Sequence, residues 1–219
     1  MLQDTGQDFS IATNLFVSAL VGNRPDPARA FLAQALQFKA LDDLCAGARQ
    51  DQTANLGASV LKQLGISLAI SDVDLEVIPA EGSIIVIANH PFGLLDAMML
   101  DSILRRRRED SRILANSLLC GIPELRNRCF PVDVLGGRAD VNVRAIRTAI
   151  GWLRRGGLLG LFPAGEVSHW SLPARRIVDP EWSDAAVRLA LLAKASVIPV
   201  YFSGANSLAF QLAGLVHPG

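Results

Sequence analysis

Two side chains capable of acid–base chemistry stand six positions apart in Asn89-His90-Pro91-Phe92-Gly93-Leu94-Leu95-Asp96, an imidazole and a carboxylate separated by a turn-forming Pro-x-Gly. A carboxylate that accepts the proton on one ring nitrogen fixes the histidine tautomer, which leaves the other nitrogen as a base for a hydroxyl proton. The competing reading is a strand-end histidine bonded to backbone, with Asp96 favouring only the positive end of a helix. Further along, Phe162-Pro163-Ala164-Gly165-Glu166-Val167-Ser168 presents one more carboxylate after a Pro-x-Gly turn. Gly165 admits close approach of backbone to a ligand, and N–H groups in such a turn can hold an anion or a developing oxyanion. The plainer alternative is a tight turn with an exposed glutamate.

The elements that must place these groups are legible around them. Ile84, Ile85, Val86 and Ile87 form a β-branched run of the kind that fills a strand covered on both faces. Pro91 and Gly93 interrupt it, and Leu95, Met98, Met99 and Ile103 then recur with helical spacing. His90 is thus expected at the C-terminal end of a strand and Asp96 in the first turn of the next helix. That edge of an open α/β sheet is where ligands bind. Leu158 to Phe162 reads as a second buried strand, stopped by Pro163, which brings Glu166 to the same edge.

Residues 1–75 read as an N-terminal helical cap or layer, with apolar stripes over Ala28, Phe31, Leu32, Ala35, Leu36 and Phe38 and over Leu56, Val60, Leu61 and Leu64. The segment Phe9 to Val21 is apolar enough to pack on this layer or to lie on a bilayer interface. Alternation of Leu75, Val77 and Pro79 against Asp74, Glu76 and Ile78 predicts an edge strand between Leu68 and Pro79, joined to the buried strand by Glu81-Gly82. The run Arg105 to Asp110 reads as a solvated helix end, since Glu109 and Asp110 offset its arginines, with contact to anionic lipid headgroups as the alternative. Short strands are expected at Ile113 to Ala115 and Phe130 to Val132, a helix over Val143, Ile146, Ile150 and Leu153, another near Ser183 to Ala195, and a last strand at Val197 to Phe202. The alternation predicts an α/β fold with a mostly parallel central sheet flanked by helices over residues 76–219, forming one compact unit with the N-terminal layer.

Composition narrows the function. The 219-residue chain is half hydrophobic, and its positive mean hydropathy of +0.31 leans toward apolar substrates or a membrane surface. No run of ~18 apolar residues is present, so no spanning helix is expected. The first ten residues lack a basic stretch followed by an apolar one, so no secretory signal is evident. The formal charge is zero, which argues against nucleic acid as a partner. Cys45, Cys120 and Cys129 are odd in number and lack CxxC spacing, as expected of reduced thiols rather than a metal or disulfide framework.

The two blocks NHPFGLLD and FPAGEVS together resemble the glycerophospholipid acyltransferase superfamily, the lysophospholipid acyltransferase or PlsC-like group, and most closely its bacterial haemolysin-like and ornithine-lipid-type branch. The resemblance runs from Ile84 to about Ser207 and takes in Val197-Ile198-Pro199-Val200 as a final block that borders the site. Five residues separate His90 from Asp96, as in the haemolysin-like branch, whereas four do so in the widest form of the family. The resemblance implies that His90 is the general base and Asp96 its orienting partner. It implies that Gly93, Gly165 and Glu166 belong to the substrate-binding blocks, and that Arg138, beside Phe130-Pro131-Val132-Asp133 at an irregular spacing, contacts the acceptor headgroup. The implied activity is O-acyl transfer of the 1-acylglycerol-3-phosphate acyltransferase type, from acyl-CoA or acyl carrier protein to the hydroxyl of a lyso-ornithine lipid or lysophospholipid. The thioester is a co-substrate and no resident cofactor or metal is implied. A peripheral position on the cytoplasmic face of a membrane is expected, and the last block lies so near residue 219 that further C-terminal elements are expected after it.

Two other classes compete. A lipid hydrolase or esterase would use Ser168 or Ser203 as nucleophile, although no G-x-S-x-G elbow is present. A non-catalytic lipid-binding module would retain the apolar surface without turnover. His90, His169 and His217 lack paired ligand spacing for a metal. His169 reads as a loop residue without a carboxylate to orient it.

Overall fold

The β-branched run becomes β1 (Ile84–Ala88), and its side chains alternate between two hydrophobic layers. Ile84, Val86 and Ala88 enter one core, while Ile85 and Ile87 enter the other, which is the period-two signature of a strand covered on both faces. The structure is a computed structural model that describes residues 45–48, 55–133, 139–206 and 211. Helices α1 (Leu56–Gln63) and α2 (Asp72–Glu76) precede β1. After it come α3 (Leu94–Arg107), β2 (Ser111–Asn116), α4 (Ser117–Cys120), β3 (Cys129–Val132), α5 (Ala139–Arg154) and β4 (Leu158–Leu161). The chain continues through β5 (His169–Ser171), β6 (Arg176–Val178), α6 (Ala185–Ala193) and β7 (Ser196–Val200).

Five strands form one sheet in the order β3-β2-β4-β1-β7, and every neighbouring pair is parallel. Helices α1, α3 and α4 contribute to one face, and α5 and α6 to the other, which gives the expected α/β layering. Ile87 of β1 aligns with Leu161 of β4, and Ala88 with Val200 of β7, so three strands end at one level and discharge their loops on one edge. Helix α3 is buried continuously from Asp96 to Leu104. Its backbone comes so near α1 that a Cβ on Gly57 would stand 2.8 Å from the Met98 carbonyl oxygen.

Three expectations are corrected. The proposed edge strand before β1 is instead the short helix α2, whose N-cap Ser71 accepts from the Asp74 N–H at 3.1 Å. Leu75 and Ile78 are the buried residues there, a helical three-residue spacing, while Val73 and Val77 face solvent. The arginine run is not merely solvated, because each guanidinium has its own partner. Arg105 meets Glu109, Arg106 meets Asp72, and Arg107 donates to the Ile78 carbonyl at 2.8 Å. Arg108, 5 % exposed, donates to the carbonyls of Gly82 at 2.8 Å and Gly156 at 2.6 Å and forms a two-pronged pair with Asp110. It thereby ties the loops that feed β1 and β4 at the edge opposite their C-terminal ends. The third correction is the β5–β6 hairpin, antiparallel and separate from the main sheet, where no strands were expected. Of the N-terminal cap, the stripe from Ala28 to Phe38 and the segment Phe9 to Val21 lie outside the described residues.

Removing the buried Arg108 side chain takes the donor from two partly exposed backbone carbonyls and breaks its pair with Asp110, so Arg108→Ala should destabilise the chain by about 1–3 kcal/mol in urea unfolding. Arg106→Ala, which breaks an exposed 3.3 Å pair, should cost less than about 1 kcal/mol. Equal losses would reject the distinction.

Candidate active site

The site begins where β1 runs out of ladder partners. Asn89 continues the pairing with its side chain, donating from Nδ2 to the Phe202 carbonyl at 2.9 Å and accepting from the Phe202 N–H at 2.7 Å. This fixes the exit of β1 against the exit of β7 and delivers His90 to the sheet edge. Pro91 is buried, and Gly93 takes φ 70°, a left-handed conformation that suits glycine. Gly93 is the N-cap of α3 and Asp96 its third helical residue, so the carboxylate can reach back to the cap.

One oxygen of that carboxylate gathers three donors. Asp96 Oδ2 accepts from the Phe92 N–H at 2.8 Å and the Gly93 N–H at 2.9 Å, and it lies 2.8 Å from His90 Nδ1. Nδ1 therefore carries the proton toward Asp96, which leaves Nε2 as the basic nitrogen, without a hydrogen-bond partner among the described residues. The imidazole is stacked on Phe162, with centroids 4.3 Å apart and planes at 21°, and remains 15 % exposed. Asp96 is fully buried. Burial raises its carboxyl above the ordinary range, and the donations from His90, Phe92 and Gly93 oppose that rise without cancelling it.

The second block packs directly on the first. The Ser168 N–H donates to the His90 carbonyl at 2.8 Å, and a Cβ on Gly93 would stand 3.1 Å from Val167 Cγ2. Gly165 also has φ 70° and is exposed, with nothing within 4 Å of a would-be Cβ. Glu166 is exposed beside it, after the strand adjacent to β1 and on the same sheet edge. Arg138 lies outside the described residues. Ser168 is buried, and its Oγ donates to Asp179 Oδ1, while Ser203 is exposed. Among the described residues no serine hydroxyl bonds the His90 ring, so the hydrolase arrangement is not formed here. His169 lies in β5 rather than a loop, and its Nδ1 bonds the Val167 carbonyl at 3.3 Å. Among the described residues no cluster of histidine, cysteine and acidic side chains is arranged to hold a metal.

Asp179 was not anticipated from sequence. Its Oδ1 accepts from the His90 N–H at 3.2 Å as well as from Ser168, and its Oδ2 accepts from Trp182 Nε1 at 2.8 Å. No local spacing signals a partner 89 residues from His90. Phe162 was read only as the end of a strand, and its contact with the imidazole depends on the β1–β4 pairing.

A parallel α/β sheet with an inner strand that ends in a carboxylate-oriented imidazole, open at one nitrogen, has the geometry that a general base requires. The chain belongs to the acyltransferase family whose model matches residues 56–217. It is 29% identical over 134 residues to a lyso-glycine lipid O-acyltransferase of Bacteroides thetaiotaomicron, a match covering 61% of this chain and 47% of that protein. A lyso-glycine lipid O-acyltransferase of Phocaeicola vulgatus is 28% identical over 134 residues, covering 61% of this chain and 46% of the relative. The matched part of the chain thus spans about half the length of these curated relatives.

Because the Asp96 carboxyl titrates above its unfolded value, its favourable contribution is complete below about pH 4 and is lost as pH rises through the folded value. Asp96→Asn cannot titrate. Its melting temperature relative to the unaltered chain should therefore climb between about pH 4 and pH 7. A flat difference in scanning calorimetry across that range would contradict the burial cost.

Proposed function

We propose that this chain is an O-acyltransferase that moves a fatty acyl group from a thioester, acyl-CoA or acyl carrier protein, to the hydroxyl of a lysolipid. The observation that carries the reading is the 2.8 Å contact of His90 Nδ1 with buried Asp96 while Nε2 stays open. Nε2 takes the acceptor's hydroxyl proton as the oxygen attacks the thioester carbonyl carbon. The C–S bond then breaks, and the departing thiolate receives the proton from the imidazolium. Asp96 holds the tautomer before transfer and stabilises the imidazolium during it. A thioester is already activated, so the step needs no acyl-enzyme and no resident cofactor.

The relatives are named for lyso-glycine lipid, which supports an amino-acid-headgroup lysolipid, glycine or ornithine type, ahead of a lysophospholipid as acceptor. Glu166, Gly165 and Arg138 are assigned to the acceptor's polar head, and Gly93 to the wall of the site. The enzyme works peripherally at the cytoplasmic face of a membrane. No helix among the described residues is long and apolar enough to cross one.

A matrix of thioester donors against lysolipid acceptors, read by product mass, tests the reading. His90→Ala should lower kcat about 10²–10⁴-fold with donor binding retained. Asp96→Asn should follow it, and the double variant should be little worse than His90→Ala, as expected of groups acting as a unit. Undiminished turnover by folded His90→Ala would reject the mechanism. Glu166→Gln should raise KM for the lysolipid more than it lowers kcat, and the reverse split would remove Glu166 from the headgroup site.

A further inference from the structure

Both feet of the β5–β6 hairpin stand on the backbone of His90. Ser168, just before β5, donates its N–H to the His90 carbonyl, and Asp179, just after β6, accepts the His90 N–H. The Ser168 hydroxyl bonded to Asp179 closes the base of the loop. From this base the chain runs outward through three cross-strand pairs, His169 with Val178, Trp170 with Ile177 and Ser171 with Arg176. The tip, Leu172-Pro173-Ala174-Arg175, is exposed throughout, and Arg175 turns it with φ 51°.

The hairpin and its base bring exposed apolar and aromatic side chains together with arginines on a stretch whose two feet hold the His90 backbone. Leu172 is 69% exposed and Trp170 37%, and Trp182, tied by its indole N–H to Asp179, is 44% exposed. Arg175 and Arg176 are both exposed, and neither pairs with a carboxylate among the described residues. Trp170, Leu172 and two guanidiniums without carboxylate partners among the described residues lie on this one hairpin, with Trp182 at its base, and these are the side-chain types that settle at a bilayer interface. Rings and leucine suit the level of the upper acyl chains, and guanidiniums suit the phosphates.

We infer that the β5–β6 hairpin, with Trp182 at its base, docks on an anionic lipid bilayer and holds the edge bearing His90 against the source of the acceptor. The inference deepens the reading of the chain as a lysolipid enzyme by naming the element that meets the membrane. An acidic carrier protein would also attract the arginines, but it supplies no reason for exposed Leu172 and Trp170. Because the feet of the hairpin are the bonds that fix the His90 backbone, docking constrains the catalytic edge directly.

Flotation with vesicles of phosphatidylcholine, alone and mixed with phosphatidylglycerol, tests this in the full chain. The unaltered chain should prefer the anionic vesicles. Each arginine near such a surface is worth about fivefold in partitioning, so R175E/R176E should weaken binding by at least about tenfold. Leu172→Glu should weaken it on both vesicle types, and the indole emission blue shift should shrink with it. Leu191→Glu, on the exposed face of α6, should change nothing. His90→Ala should bind vesicles like the unaltered chain, so loss of chemistry and loss of docking are read apart. Unchanged flotation of both hairpin variants would overturn the assignment, as would greater sensitivity to Leu191→Glu. Binding of acyl carrier protein that needs the arginines but tolerates Leu172→Glu, without vesicle binding, would overturn it in favour of a protein surface.

Discussion

A single buried oxygen atom, Asp96 Oδ2, holds together the end of a strand, a turn and the start of a helix. It accepts from two consecutive backbone N–H groups and from the His90 ring, so the same atom caps α3, shapes the turn and selects the imidazole tautomer. Burying a carboxylate is costly unless hydrogen bonds compensate it. Three donors converge on Oδ2, whereas Oδ1 has no partner among the described residues. The balance is unfavourable to the ionised form, and the fold must supply the difference from its cores on either side of the sheet. A buried carboxylate with a shifted titration beside an imidazole is the kind of group that marks a candidate functional site.

The same constraint explains why the surrounding residues are so specific. Gly93 must reach a left-handed conformation and leave room for Val167, which a larger side chain would crowd. Gly204, also at positive φ, lies so close to Phe92 that a Cβ would stand 2.7 Å from its ring. The loops after β4 and β7 thus close around the turn that follows β1. The imidazole is held at Nδ1 by a carboxylate, on its face by Phe162, and through both its backbone groups by Asp179 and Ser168. Positional precision of this kind lets a weak base act at a defined reacting atom.

Local patterning explains what was legible in the sequence. β1, the turn, α3, α5, β4 and β7 each announce themselves by period or by glycine and proline punctuation, and the pairing of His90 with Asp96 follows from the N-cap geometry of one turn. The misread stretch before β1 shows the limit, since Leu75 and Ile78 satisfy a helix while Leu75, Val77 and Pro79 satisfy a strand. The Ser71 cap decides between them. Asp179 and the bonds of Arg108 were illegible for a different reason. They join segments distant in sequence, and nothing in their immediate neighbours distinguishes them from surface charges. Arg138 was singled out through resemblance and lies outside the described residues.

The strand order carries a consequence for how this protein comes into being. β1 is the first strand of the sheet to leave the ribosome, yet its two neighbours are β4 and β7. During synthesis its two apolar faces and two open edges must wait for residues 158–161 on one side and 196–200 on the other. Parallel pairing across such separations is intrinsically slow, and unpaired apolar strands are prone to self-association while they wait. The nascent chain is therefore open to self-association until residues 196–200 have been made, and the edge bearing His90 is among the last features to be completed.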